Sequence, residues 1–100
     1  MTMLQQGDVL LRASCIPKNA TRKAGRAIVA FGEHTGHAHE VIGESVTVLE
    51  HDGTLYLSAP HGGTIKHEEH KAFEIPPGDY TIGIVREFDH FAEEARNVRD

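Results

Sequence analysis

The sequence contains only one cysteine, Cys15, no long apolar run and no surplus of basic residues. A single cysteine excludes an internal disulfide, and such a chain suits the reducing cytoplasm. A membrane span needs a run of about 18 apolar residues, and the N-terminal residues lack the basic and apolar regions of a signal peptide. We therefore expect a cytoplasmic protein with no membrane partner.

The charge balance excludes another class of partner. Lys and Arg number 10 against 15 Asp and Glu, which gives a net charge of −5 with neutral histidines. Phosphate binding requires a basic surplus, so we do not expect nucleic acid or an anionic membrane surface as a partner. The length of 100 residues and the 39% hydrophobic content fit a single soluble domain over residues 1–100.

Turn-forming residues recur along the chain at intervals of about ten, with short segments rich in Val, Ile, Leu and Tyr between them. This rhythm predicts an all-β barrel or two-sheet sandwich of about six to eight short, mainly antiparallel strands. The predicted strands cover residues 8–13, 26–33, 37–42, 46–51, 54–59, 64–68, 72–75 and 79–87. After Asp89, apolar residues at helical spacing predict a short C-terminal helix over 90–97 that lies over one end of the barrel.

One hairpin can be predicted to the residue. Asp52-Gly53 supplies the positive φ angles that a two-residue type I′ turn demands. The opposed pairs are then Val46–Ala59, Val48–Leu57, Glu50–Leu55, Leu49–Tyr56 and His51–Thr54. The first three pairs share one sheet face, which we expect to be the core face apart from Glu50 at the tip.

The most informative feature is the placement of the eight histidines, five of which fall into two short clusters. The first cluster holds His34, His37 and His39, the second holds His67 and His70, and both contain carboxylates. Neutral imidazole and carboxylate are the ligands that divalent transition metals prefer. His37 and His39 stand two residues apart on a predicted strand, so they leave the same face roughly 6 to 7 Å apart at Cα. His51, His61 and His90 are interpreted as ordinary surface or core residues.

The second cluster allows two interpretations. If residues 64–75 form one extended segment, His67 and Glu69 share a face with the apolar Ile65 and Phe73 and point into the barrel. An inward ionisable group is costly unless it is paired or bound to a metal. Alternatively, the strand breaks at the polar stretch 67–70, and both alternatives stay open at this point.

The spacing His37-x-His39-x4-Glu44 resembles the first motif of the cupin superfamily, small β-barrels that bind a metal through three His and one Glu. The resemblance implies that His37, His39 and Glu44 are ligands. Cupins have a third His soon after a Pro-x-Gly turn, whereas here Pro76-Pro77-Gly78 is followed by Asp79-Tyr80-Thr81-Ile82. The third histidine would therefore have to come from elsewhere.

The chain as a whole is similar to a group of small, uncharacterised bacterial and phage-associated proteins. The shared segments are Gln6–Leu10, Thr35–His39, His67–His70 and Pro76–Tyr80. The resemblance implies that the four segments act as a unit, and it implies no activity.

Two functions compete. The first is a metal-binding β domain whose candidate ligands are His37, His39, Glu44, His67, Glu69 and His70. These ligand types suit Zn, Fe, Mn, Ni or Cu, and an open coordination position would allow a small-molecule ligand or catalysis. The alternative is a non-enzymatic, homo-oligomeric binding or assembly module from a mobile element, without a metal site. No catalytic residue can be named, so enzymatic activity stays undecided.

Overall fold

The protein is an all-β sandwich, as the sequence predicts. The computed structural model describes residues 3–31, 38–68 and 70–84, and this part of the chain contains ten strands and no helix. The strands are β1 (Met3–Gln6), β2 (Val9–Ala13), β3 (Thr21–Arg22), β4 (Ile28–Phe31), β5 (Ala38–Ile42), β6 (Thr47–His51), β7 (Thr54–Ala59), β8 (Gly63–Lys66), β9 (Phe73–Ile75) and β10 (Gly78–Ile84). No helix within these ranges is long and apolar enough to cross a membrane.

The strands form two antiparallel sheets. The larger sheet has six strands in the order β1-β2-β10-β7-β6-β3, and the smaller sheet has four in the order β4-β5-β8-β9. Buried side chains from both sheets form one hydrophobic cluster, with Leu11 and Leu57 from the larger sheet and Val29, Val41 and Ile65 from the smaller. The core therefore lies between the two sheets, as in other sandwiches.

The β6–β7 hairpin has the predicted register. Val48 pairs with Leu57 and Leu49 pairs with Tyr56. The turn residue Asp52 has φ 50° and the following glycine has φ 80°, which is the left-handed pair that a type I′ turn requires. The local turn chemistry therefore fixes both the pairing and the face that enters the core.

Two strands were not predicted. β1 consists largely of polar or unbranched residues, yet it pairs with β2 across a turn at Gly7, whose φ is 59°. β3 is only two residues long and pairs with β6. Neither segment has the alternating β-branched pattern that predicts a strand, so tertiary pairing and not local propensity places them.

His67 and His70 lie in a break between strands. β8 ends at Lys66 and β9 begins at Phe73, so the single extended segment 64–75 does not form and the alternative of a break is confirmed. The other predicted strands are confirmed where the structure describes them, with ends that differ there by one or two residues. The predicted ends at residues 33 and 87 and the predicted start at residue 37 lie outside the described residues. The predicted helix over 90–97 lies outside the described residues, as do His34 and His37.

Two polar side chains are buried as completely as the core residues Leu11 and Leu57. Gln6 on β1 is 0% exposed and His39 on β5 is 1% exposed. Each occupies an inward-facing position of its strand, two residues away from another buried side chain: Leu4 for Gln6, and Val41 for His39. Buried polar groups need partners, so these two residues mark the place to look for a site.

Candidate metal centre

The structure brings His39 of the first histidine group together with His67 and His70 of the second. The imidazole of His39 stacks on that of His67, with ring centroids 4.1 Å apart. The ring of His70 lies 5.8 Å from His39 and 4.8 Å from His67. We call these three residues the histidine cluster. Strand β5 supplies one ring, and the connection between β8 and β9 supplies the other two.

The neighbouring β1–β2 turn shapes one side of the cluster. Gly7 has a positive φ, and a Cβ at this position would lie only 2.5 Å from Nε2 of His70. The absence of a side chain at Gly7 therefore allows the His70 ring to approach the backbone closely. Within the β8–β9 connection, Oε1 of Glu68 accepts a hydrogen bond of 2.9 Å from the backbone N–H of Ala38, at the start of β5.

Gln6 bonds to both parts of the chain that carry the cluster. Its Nε2 donates to the carbonyl of Ile65 at 3.2 Å and to the carbonyl of Lys71 at 2.9 Å. Its Oε1 lies 2.9 Å from Nδ1 of His39. The two carbonyls can only accept, which fixes the orientation of the amide: nitrogen towards the backbone and oxygen towards the imidazole.

This orientation assigns the tautomer of His39. The amide oxygen of Gln6 is an acceptor, so Nδ1 of His39 must carry a proton and donate it. Burial lowers the pKa of His39 to about 4, helped by His67 and His70 and opposed by Asp8 and Glu68. At neutral pH the ring is therefore uncharged, and Nε2 presents a lone pair.

A carboxylate oxygen lies close to this nitrogen. Nε2 of His39 lies 3.6 Å from Oδ1 of Asp8, which follows Gly7 in the β1–β2 turn. A neutral imidazole nitrogen and a carboxylate oxygen are both acceptors, so they do not attract each other without a cation between them. A separation of 3.6 Å would allow both atoms to bind one ion at ordinary metal–ligand distances of about 2.0 to 2.2 Å.

The described side chains do not already form a complete metal shell. Within residues 3–31, 38–68 and 70–84, no three His, Cys, Asp or Glu are arranged to hold an ion. The rings of His39 and His67 are 25° from parallel, so they stack face to face and do not converge on one point. Ligation by all three histidines requires His67 and His70 to turn, and His70 is exposed enough to do so.

The six predicted ligands have different outcomes. His39, His67 and His70 meet in the cluster, whereas His37 and Glu69 lie outside the described residues. Glu44 follows β5 at the end opposite to His39, where its Oε1 lies 3.3 Å from Nε2 of the exposed His61. The structure therefore does not bring Glu44 to the histidine cluster.

Sequence reasoning missed Asp8 and Gln6. Neither stands near a histidine in the sequence, and a glutamine is not a usual metal ligand. The available signal was their position in the segment Gln6–Leu10, one of the four segments shared with small uncharacterised proteins. Three of those segments contribute residues to the site, while Pro76–Tyr80 contains the turn before β10.

A family model for a domain of unknown function, DUF8820, matches residues 5–85. The chain belongs to this family. The matched DUF8820 region includes Gln6, Asp8 and all three members of the histidine cluster. No curated protein and no solved structure matches the chain. The prediction of a small uncharacterised family is confirmed, and the likeness to cupins stays a prediction.

Proposed function

We propose that this domain binds a divalent transition-metal ion, with Nε2 of His39 and Oδ1 of Asp8 as its first two ligands. One observation carries the proposal: the unprotonated Nε2 of an uncharged imidazole lies 3.6 Å from a carboxylate oxygen. A proton shared between them would satisfy both groups, but burial disfavours the imidazolium that this requires. A metal ion satisfies both groups without protonating the ring.

The remaining ligands would come from the connection between β8 and β9. His70 lies against the β1–β2 turn that carries Asp8, and His67 stacks on His39. Three imidazole nitrogens and one carboxylate oxygen form a donor set that suits Zn, Fe, Mn, Ni or Cu. His37 and Glu69 remain predicted ligands that could replace a member of this set.

The exposure of the proposed site would allow the bound ion to take a further ligand from solution. Asp8 is about half exposed and His70 is exposed, so one side of the site opens to solvent. An ion with an open position at this rim would take a water molecule or a small-molecule ligand. A fully ligated ion would instead tie the two sheets together, because Asp8 lies in the β1–β2 turn of the larger sheet and His39 on β5 of the smaller.

Metal titration of two matched variants tests the proposal. Chelator-treated wild-type protein is titrated with Zn²⁺ and with Co²⁺ by calorimetry, and we expect uptake of about one ion per chain. Asp8→Asn keeps the size of the side chain and removes the charged ligand, so the affinity should fall about tenfold or more. Glu44→Gln makes the same chemical change in the His61–Glu44 pair and should leave the affinity unchanged.

Two results would contradict the proposal: no uptake by the wild type, or equal affinities of wild type and Asp8→Asn. A loss of binding in Glu44→Gln would instead restore Glu44 as a ligand, as the cupin-like spacing implies. The assembly-module alternative has its own signature. If the histidines line an interface between chains, the mass in solution should change between about pH 5 and 8 and should not respond to chelator.

A further inference from the structure

Gln6 joins three parts of the chain at the candidate metal centre. The side chain leaves β1 in the larger sheet and reaches His39 on β5 of the smaller sheet. Its amide nitrogen also bonds to Ile65 and Lys71, which flank the connection carrying His67 and His70. The Gln6 side chain that makes these contacts is itself fully buried.

We propose that Gln6 is a positioning residue of this centre. Its amide oxygen keeps the proton of His39 on Nδ1, so that Nε2 is the metal-binding nitrogen. Its amide nitrogen holds the segment that carries His67 and His70. The assignment rests on the proposed metal binding. Hydrogen bonds from beyond the ligand shell commonly select the tautomer and the orientation of a ligating histidine. Here one amide acts on His39 directly and on the other two rings through the backbone that carries them.

The geometry requires an amide at this position. One acceptor is needed for the Nδ1 proton and two donor hydrogens are needed for the two carbonyls, and a primary amide supplies both. A carboxylate at position 6 could accept the proton but would face the carbonyls of Ile65 and Lys71 without hydrogens to donate. A methionine has similar length and would satisfy none of the three groups.

The tautomer of His39 can be read directly in the metal-free protein. Long-range ¹H–¹⁵N NMR spectra distinguish a protonated Nδ1 from a protonated Nε2 in each histidine ring. We expect His39 of the wild type to carry its proton on Nδ1. In Gln6→Met that preference should be lost, and the Zn²⁺ affinity should fall about 10- to 100-fold, the usual consequence of removing such a partner.

Gln5→Met is the matched control. Gln5 is the neighbouring residue on β1, it is nearly as buried as Gln6, and its amide donates to the carbonyl of Gly7. It lies on the opposite face of the strand and does not contact His39, so its replacement should leave the His39 tautomer unchanged. A matching loss of the Nδ1 preference in Gln5→Met would overturn the assignment to Gln6.

Gln6→Glu keeps the test decisive if Gln6→Met fails to fold. The carboxylate still accepts from Nδ1, so the tautomer should be retained, while the anchor to the two backbone carbonyls is lost. A wild type with its proton on Nε2, or a Gln6→Glu protein that loses the Nδ1 proton, contradicts the assignment. The tautomer is measured without metal, so a wild type with the Nδ1 proton but no metal uptake contradicts the metal proposal alone.

Discussion

Two His–carboxylate pairs lie at opposite ends of β5, and they differ in almost everything except distance. His39 and Asp8 are 3.6 Å apart, with side-chain exposures of 1% and 47%. His61 and Glu44 are 3.3 Å apart, with exposures of 60% and 78%. In the exposed pair, water solvates both partners and screens their interaction. In the first pair the imidazole is removed from water, and its other nitrogen already has a partner.

The comparison shows that proximity alone does not make a site. An exposed ion pair contributes between about 0 and 1 kcal/mol and can break at little cost. A buried imidazole cannot recruit water in the same way, so the polar groups around it determine its protonation and the ion it accepts. The spacing of the histidines in the sequence predicts Glu44 as the ligand and does not point to Asp8.

The largest expected difference between the two pairs is in stability. His39→Ala leaves a core cavity and removes the partner of the Gln6 carbonyl, so it should lower the free energy of unfolding by about 3 to 5 kcal/mol. His61→Ala should change it by about 0.5 kcal/mol or less. Urea denaturation of both variants measures the difference. Equal effects would contradict the expectation that burial distinguishes the two pairs.

Zn²⁺ should stabilise the protein through the His39–Asp8 pair and not through the His61–Glu44 pair. A ligand that binds the folded state at about 100 times its dissociation constant raises the free energy of unfolding by about 2.7 kcal/mol. We expect that gain for the wild type and for Glu44→Gln, and a much smaller gain for Asp8→Asn at the same Zn²⁺ concentration. Thermal unfolding with and without Zn²⁺ measures it. An equal gain in stability in all three proteins would show that Zn²⁺ binds at a site that does not include Asp8.

Acid should destabilise the metal-free protein through His39. The unfolded chain protonates this residue near its ordinary pKa of 6.5, whereas the folded protein does so only near about 4. The stability that the protein gains from keeping His39 neutral is therefore complete above pH 6.5. It is lost as the pH falls from 6.5 towards 4, and below pH 4 no further loss occurs. At about 1.4 kcal/mol per pH unit, the loss between pH 8 and pH 5 is about 2 kcal/mol.

Urea denaturation of the metal-free wild type at several pH values measures this loss, and His39→Gln is its control. The variant has no imidazole at position 39, so the pH dependence of its stability should be shallower than that of the wild type over this range. Parallel pH profiles for the two proteins would show that His39 protonates equally in the folded and unfolded states.

The smallest expected effect concerns the β1–β2 turn. Gly7→Ala and Gly53→Ala each place a side chain at positive φ, which costs about 1 to 2 kcal/mol. A Cβ at Gly53 meets nothing within 4 Å, whereas one at Gly7 would displace the His70 ring. Stability should therefore fall similarly in both variants, while the Zn²⁺ affinity should fall only in Gly7→Ala. An unchanged affinity there would remove His70 from the proposed ligand set.

Local sequence rules predict much of the sandwich. The β6–β7 register follows from Asp52-Gly53 because a two-residue turn leaves only one pairing. The main strands follow from their β-branched and aromatic residues between turn signals. β1 and β3 could not be predicted in this way, because pairing with β2 and β6 compensates for their weak intrinsic propensity.

The sequence alone predicts the all-β class, the central hairpin and two groups of candidate histidines, but not that His39 of the first group meets His67 and His70 of the second. It did not determine which carboxylate stands beside them. That depends on the β1–β2 turn, which brings Asp8 to His39 from 31 positions away in the chain. Tertiary structure alone decided that His39 and Gln6 are buried, because burial depends on which two sheet faces meet. That burial separates the His39–Asp8 pair from the His61–Glu44 pair.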